Sequence, residues 1–281
     1  MLCRSADLIA EAHASGSGIA AFNVITLEHV QAVAEAARRT GRPAIVQISQ
    51  NAVRHHGGDV MPLATATTAA AGGSDARLAL HLDHVEDVAL LHRTAECGAS
   101  SVMFDASRLP DEENIAATRE AVRWAHGQGL FVEAELGEIG GKGSAHTPGA
   151  RTDPGDAARF VAETGVDALA VAVGSSHAMV SRTAALDLGL IARLRDEVPV
   201  PLVLHGSSGV PHETLRAALA HGMTKINIGT LLNVSFTRAV RATLAESPDL
   251  VDPRRYLAPA RDAMTDAVAD CLTALGTPGA R

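Results

Sequence analysis

Three histidines and three carboxylates of this chain share one feature: each ends or closely follows a short apolar run. They are Asp83 and His84, Asp105, Glu135, His177 and His205. Neutral imidazole is a preferred zinc ligand and carboxylates complete or tune the shell, so these groups brought to one place would form a metal site. Asp83, adjacent to His84, is placed to orient a ligand or to exchange a proton with a substrate oxygen. A second set, Gly206-Ser207-Ser208-Gly209 and Ile228-Gly229-Thr230, supplies small residues and backbone N–H groups of the kind that hold a phosphate at helix starts. Taken singly, each histidine reads as a hydrogen-bonded loop residue and each glycine run as a turn. His81 alternates with Leu82 and reads as a buried structural histidine, while His55, His56, His92, His126, His212 and His221 fall on expected helices or surface loops.

What could bring these groups together is an alternation of strand-length apolar runs with longer stretches of helical period. Strands are expected at residues 19–22, 44–48, 78–82, 101–104, 131–134, 168–173, 201–204 and 225–228. Helices are expected at 27–40, 59–71, 86–97, 111–126, 154–164, 187–196, 211–220 and 231–246, with one more in the tail from 253 onward. Runs such as Ala168-Leu169-Ala170-Val171-Ala172-Val173 are apolar throughout, as in a parallel sheet covered on both faces. Eight strands followed by eight helices give an α/β chain of the (β/α)8 TIM-barrel type with an additional C-terminal helix, one domain over residues 1–281. In such a barrel chemistry occupies the C-terminal mouth, where the polar residues above fall together with Asn23, Ser49 and Asn227. A doubly wound open sheet is the alternative, but Phe22-Asn23-Val24-Ile25 is not a glycine-rich dinucleotide turn. Residues 137–154 form the one long expected loop, the usual place for a functional lid.

Composition narrows the function classes. The 281 residues carry a formal net charge of −8, from 24 basic and 32 acidic residues, without a long basic run, so nucleic acid is not an expected partner. Three scattered cysteines without a CxxC argue against a disulfide framework or a cysteine-built zinc site and fit a reducing cytoplasm. Residues 1–19 lack a signal-peptide pattern and no run reaches membrane-spanning length, so a soluble chain without a membrane partner is expected.

The segments Ala21-Phe22-Asn23-Val24, His81-Leu82-Asp83-His84, Val132-Glu133-Ala134-Glu135-Leu136-Gly137, Leu202-Val203-Leu204-His205-Gly206-Ser207-Ser208-Gly209, Lys225-Ile226-Asn227-Ile228-Gly229-Thr230 and Asp252-Pro253-Arg254-Arg255-Tyr256 resemble the class II, zinc-dependent fructose-bisphosphate and tagatose-bisphosphate aldolases. The resemblance runs through almost the whole chain. It implies one Zn2+ per chain held by His84, His177 and His205, with Asp105 and Glu135 around the metal or an alternative metal position, and it leaves room for a monovalent cation. It makes Asp83 the acid/base at the C4 hydroxyl, Asn23 and Ser49 substrate contacts, and Gly174, Gly206, Ser208, Asn227 and Thr230 the binders of the phosphate of dihydroxyacetone phosphate. A small phosphorylated sugar is the implied substrate, and a homodimer or homotetramer the implied assembly.

Two departures bear on the substrate. The glutamate that the resembled family carries after the Gly-Gly of its mobile loop falls on Gly143, leaving Glu138 and His146 as replacement bases, and the basic residue often found in the helix after strand eight falls on Asn233. The expectation is therefore a metal-dependent ketose-phosphate aldolase whose aldehyde is not glyceraldehyde 3-phosphate. The alternatives are a Schiff-base aldolase using Lys225, taken to end strand eight at the mouth, and a non-catalytic sugar-phosphate-binding relative.

Overall fold

The computed structural model describes residues 2–73, 75–136, 151–175 and 184–276. Eight parallel strands form a closed barrel: β1 (Ile19–Asn23), β2 (Ala44–Ser49), β3 (Leu78–Val85), β4 (Ser101–Phe104), β5 (Phe131–Glu135), β6 (Ala168–Ala170), β7 (Leu202–Leu204) and β8 (Met223–Ile228), which pairs back to β1. Eleven described helices accompany them: α1 (Ser5–Ser15), α2 (Leu27–Thr40), α3 (Gln50–His55), α4 (Met61–Gly72), α5 (Val88–His92), α6 (Asp111–Gly127), α7 (Pro154–Thr164), α8 (Leu188–Glu197), α9 (His212–His221), α10 (Thr230–Glu246) and α11 (Arg254–Leu275). The TIM barrel and its extra C-terminal helix are thus as the alternation predicts. No described helix is long and apolar enough to cross a membrane.

Strand alternation sorts the side chains into two apolar regions. Ala20, Phe22, Val46, Ile48, Leu78, Leu80 and Leu82 point outward into the main core shared with the helices. The intervening Ile19, Ala21, Ile45 and Ala79 point into the barrel and pack against Leu8, Ile9 and Ala12 of α1. The amino-terminal helix therefore meets the barrel interior from the end where the strands begin, a contact that the sequence pattern of residues 5–15 does not announce. The chain below the mouth is thus filled, and polar residues at inward positions gather toward the strands' C-terminal ends.

Several element ends have local causes. Asp153 and Asp187 cap α7 and α8, accepting from Gly155 N and Asp156 N and from Leu190 N, each a donor that the first helical turn leaves unpaired. Ser49 caps the short α3, an element absent from the sequence expectation. The helix expected over 86–97 is α-helical only over α5; beyond it the chain turns. The strand expected over 168–173 shortens to β6, because only Leu169 and Ala170 find a register partner in β7. The tail helix α11 packs on α2 and α10 of its own barrel.

Candidate active site

His84, one residue before the end of β3, carries the site's least ordinary backbone. Register between β3 and β4 breaks between Leu82 and Val85, and His84 adopts φ +47°, the left-handed region that L residues seldom occupy. The irregularity lets Asp83 continue the inward alternation while His84 also reaches the mouth. Its Nδ1 donates to Asp105 Oδ2 at 2.8 Å, and Asp105 Oδ1 accepts from the Ser107 backbone and hydroxyl at 3.1 and 2.7 Å. Asp105, counted by resemblance among the groups around the metal, thus stands behind His84 and fixes its ring.

His205, directly after β7, lies across the mouth with its ring 5.0 Å from that of His84 at an interplanar angle of 80°. Its Nε2 donates to Glu133 Oε1 at 2.9 Å, and its Nδ1 lies 3.7 Å from Glu135 Oε2. His84, Glu135 and His205 each offer one ligand atom, and these atoms lie within 4.8 Å of one another. Two imidazoles and a carboxylate at that spacing fit a divalent metal such as zinc. In each ring a carboxylate holds one nitrogen, Nδ1 of His84 and Nε2 of His205, the kind of contact that fixes a ligating histidine's tautomer and ring orientation. At His84 burial opposes the charge, but Asp83, Asp105 and Glu135 outweigh it and raise its pKa to about 10. Carboxylates facing one half-buried imidazole mark a place suited to a cation. His177, expected to be the third histidine ligand, lies outside the described residues, as do Glu138, Gly143 and His146.

Asp83 is buried and receives a hydrogen bond from Asn23 Nδ2 at 2.6 Å, while Asn23 Oδ1 accepts from Gln47 Nε2 at 3.3 Å. This chain leaves Asp83 Oδ1 without a hydrogen-bond partner among the described residues. Asn23, Ser49, Asp83, His84, Gly206, Ser208, Asn227 and Thr230 line one cavity of about 250 Å3. Gly206, at φ +66°, opens the short 3-10 turn Ser207–Gly209; Ser208 Oγ accepts from the Leu231 N–H of the first turn of α10 at 3.2 Å. Asn227 is buried with neither side-chain amide atom partnered among the described residues. Gly174 follows β6 at φ +118°, beside Arg151 and the Ala185 carbonyl.

Lys225 is not at the mouth. It lies within β8, is fully buried, and donates to Glu133 Oε2 at 2.7 Å. An ammonium so paired inside the barrel is not presented to a substrate carbonyl, which removes the geometric basis for imine chemistry at this residue. His81 bonds Ser101 Oγ at 2.8 Å and is held neutral, first by burial and then by the Lys225 charge. Glu133 and Gln47 are the positioning groups that the strand-end reading passed over. Both precede a singled-out residue by two and share its face, Glu133 before Glu135 and Gln47 before Ser49, so strand alternation could have found them.

The family described as Fructose-bisphosphate aldolase class-II matches residues 3–280. Among solved structures, the YdjI aldolase from Escherichia coli K12 is similar over 99% of this chain and 99% of its own, with 31% identity and a TM-score of 0.82. A candidate fructose-1,6-bisphosphate aldolase from Coccidioides immitis is 28% identical over 97% of each chain, with a TM-score of 0.83. The fold is shared with the fructose-bisphosphate aldolase of Campylobacter jejuni, 22% identical over 99% of this chain and 97% of that one, at a TM-score of 0.83. With a barrel closed on a histidine- and carboxylate-built mouth and a family match over nearly its whole length, this chain belongs to the class II fructose-bisphosphate aldolases.

Proposed function

We propose that the chain is a zinc-dependent lyase that reversibly cleaves a ketose phosphate to dihydroxyacetone phosphate and an aldehyde other than glyceraldehyde 3-phosphate. The carrying observation is the convergence of His84, Glu135 and His205 beside Asp83 over one polar cavity. His84 and His205, with His177, would hold one Zn2+ per chain, which would supply Lewis-acid polarisation of the ketone carbonyl and stabilisation of the charge that develops there. Asp83 takes the proton of the C4 hydroxyl as the C3–C4 bond breaks, and the bonding pair passes to the carbonyl. Asn23 holds Asp83 in place for this transfer. Gly174, Gly206, Ser208, Asn227 and Thr230 bind the phosphate of the donor, with the N-terminus of α10 supplying backbone N–H groups and a favourable dipole. Return of a proton to C3 falls to Glu138 or His146, since Gly143 stands where the resembled loop has its glutamate. The protein is proposed to act as a homodimer or homotetramer.

Gly143 also favours a second reading, a sugar-phosphate-binding relative that has lost the reaction. Zinc content, measured with cleavage of a panel of phosphorylated ketoses before and after chelation, separates the two. About one zinc per chain with chelator-sensitive cleavage supports the lyase. Bound zinc without cleavage, and without exchange of the donor C–H proton into heavy water, supports the binding protein. Cleavage of fructose 1,6-bisphosphate as good as that of any monophosphate would sink the substrate assignment.

A further inference from the structure

We propose that the acceptor end of the cavity reads the uncharged hydroxyl groups of a polyol aldehyde through three hydrogen-bond donors, Ser49, Asn51 and Asn233. The proposal rests on the ketose-phosphate aldolase reading above. All three residues line the cavity that also contains Asn23, Asp83 and His84. In each of them the acceptor oxygen is already engaged. Ser49 Oγ accepts from the Ala52 N–H at 3.2 Å as the cap of α3, so its O–H remains to donate. Asn51 Oδ1 accepts from Arg54 Nη1 at 3.0 Å, and because a guanidinium only donates, the amide NH2 is the end left for a ligand.

Asn233 is fixed in the same sense by a buried histidine. Its Oδ1 lies 3.2 Å from His29 Nε2; an amide oxygen only accepts, so Nε2 carries the proton and His29 Nδ1 accepts from the Thr26 hydroxyl at 3.0 Å. The His29 ring is stacked on Phe236 with centroids 5.7 Å apart, which holds the ring plane. Asn233 thus ties α10 to α2 through its oxygen and keeps its NH2 for the cavity.

The wall so built offers two amide NH2 groups and one hydroxyl, and among the described residues lining the cavity there is no lysine or arginine. A hydroxyl oxygen accepts from such donors without bringing charge. A second phosphate dianion would lie close to the Asp83 carboxylate, and the Arg54 guanidinium behind Asn51 is already paired with Asn51 Oδ1 and with Glu86. The donor's own phosphate has the helix start of α10 and the turn at Gly206, which line the same cavity.

The test uses the zinc-loaded protein in the condensation direction, with dihydroxyacetone phosphate and four aldehydes: glycolaldehyde, glyceraldehyde, erythrose and glyceraldehyde 3-phosphate. The wild type should show a higher kcat/KM for erythrose than for glyceraldehyde 3-phosphate. Asn51→Ala and Asn233→Ala should each raise the ratio of KM for erythrose to KM for glycolaldehyde about three- to tenfold, the loss expected of one neutral hydrogen bond. Asn233→Arg should move the preference toward glyceraldehyde 3-phosphate. A KM ratio unmoved by both alanine variants, or a wild type that prefers the phosphorylated aldehyde, overturns the proposal. Proton exchange from dihydroxyacetone phosphate into heavy water, run on the same wild-type sample, distinguishes the levels. Its absence defeats the aldolase reading and this proposal together, whereas exchange accompanied by an unmoved KM ratio in both alanine variants defeats this proposal alone.

Discussion

Lys225 and Glu133 show what a single residue pair contributes beneath a site that it does not line. Both are fully buried, and Glu133 divides its two oxygens between the Lys225 ammonium and the His205 ring. Removing one partner leaves an uncompensated buried charge, a change that typically costs roughly 3–5 kcal/mol. Lys225→Met should therefore destabilise by about that amount in urea unfolding, and Lys225→Met with Glu133→Gln should recover part of the loss. Borohydride reduction in the presence of substrate should trap no adduct at Lys225; a trapped adduct would restore the imine mechanism. His29 gives a pH signature. Burial holds its pKa below the ordinary 6.5, against the upward pull of Asn233 and Glu28. The unfolded chain takes up a proton near that value while the folded chain resists it, so the contribution to stability is complete above 6.5 and is lost as the pH falls toward the folded value. His29→Gln should flatten the fall in Tm between about pH 7 and about pH 5, and an unchanged slope would show that the buried ring charges freely. At this scale the sequence exposes Asp83, His84, Glu135 and His205 because strand ends are local features. The side-chain partners that lock them, Asn23 to Asp83 and Glu133 to His205, join residues 60 and 72 positions apart, a relation that no local pattern carries.

Elements set the direction in which these residues point. Six of the eight strand starts agree with the apolar runs; β7 begins one residue later, at Leu202, and β8 two residues earlier, at Met223. A continuous apolar run is a strong signal because both faces of a parallel strand are covered here. The boundaries that differ do so for tertiary reasons: α1 is a helix because its apolar face closes on the barrel interior, and β6 is short because β7 offers it only two partners. Gly174 tests how tightly an element end is held. An added Cβ would lie 2.6 Å from the Ala185 carbonyl oxygen and 3.2 Å from Arg151 Nη2, at a φ of +118° that side chains disfavour. The first of these neighbours is backbone and cannot swing aside. Gly174→Ala should cost about 2 kcal/mol or more, a fall in Tm of roughly 4–8 °C in a chain of this size. A melt indistinguishable from wild type would show that the segment after β6 has room to move.

For the whole molecule, the mouth gathers three acidic groups around one imidazole. Asp83, Asp105 and Glu135 all draw the His84 imidazole toward its charged form. A cation bound there would be linked to folding, because the residues that hold it come from β3, β5 and the end of β7 and are brought together only in the closed barrel. Binding to the folded state alone adds stability as RT ln(1 + [L]/Kd), about 2.7 kcal/mol at a zinc concentration one hundred times Kd. Chelation of the zinc-loaded protein should thus lower Tm by roughly 5–10 °C, and zinc should restore it. His205→Ala locates the effect: with one ligand gone, the variant's Tm should respond little to chelator or to zinc. If His205→Ala loses stability on chelation as the wild type does, the stabilising metal is held elsewhere, and the mouth formed by His84, Glu135 and His205 would have to be read as a hydrogen-bonded cluster instead.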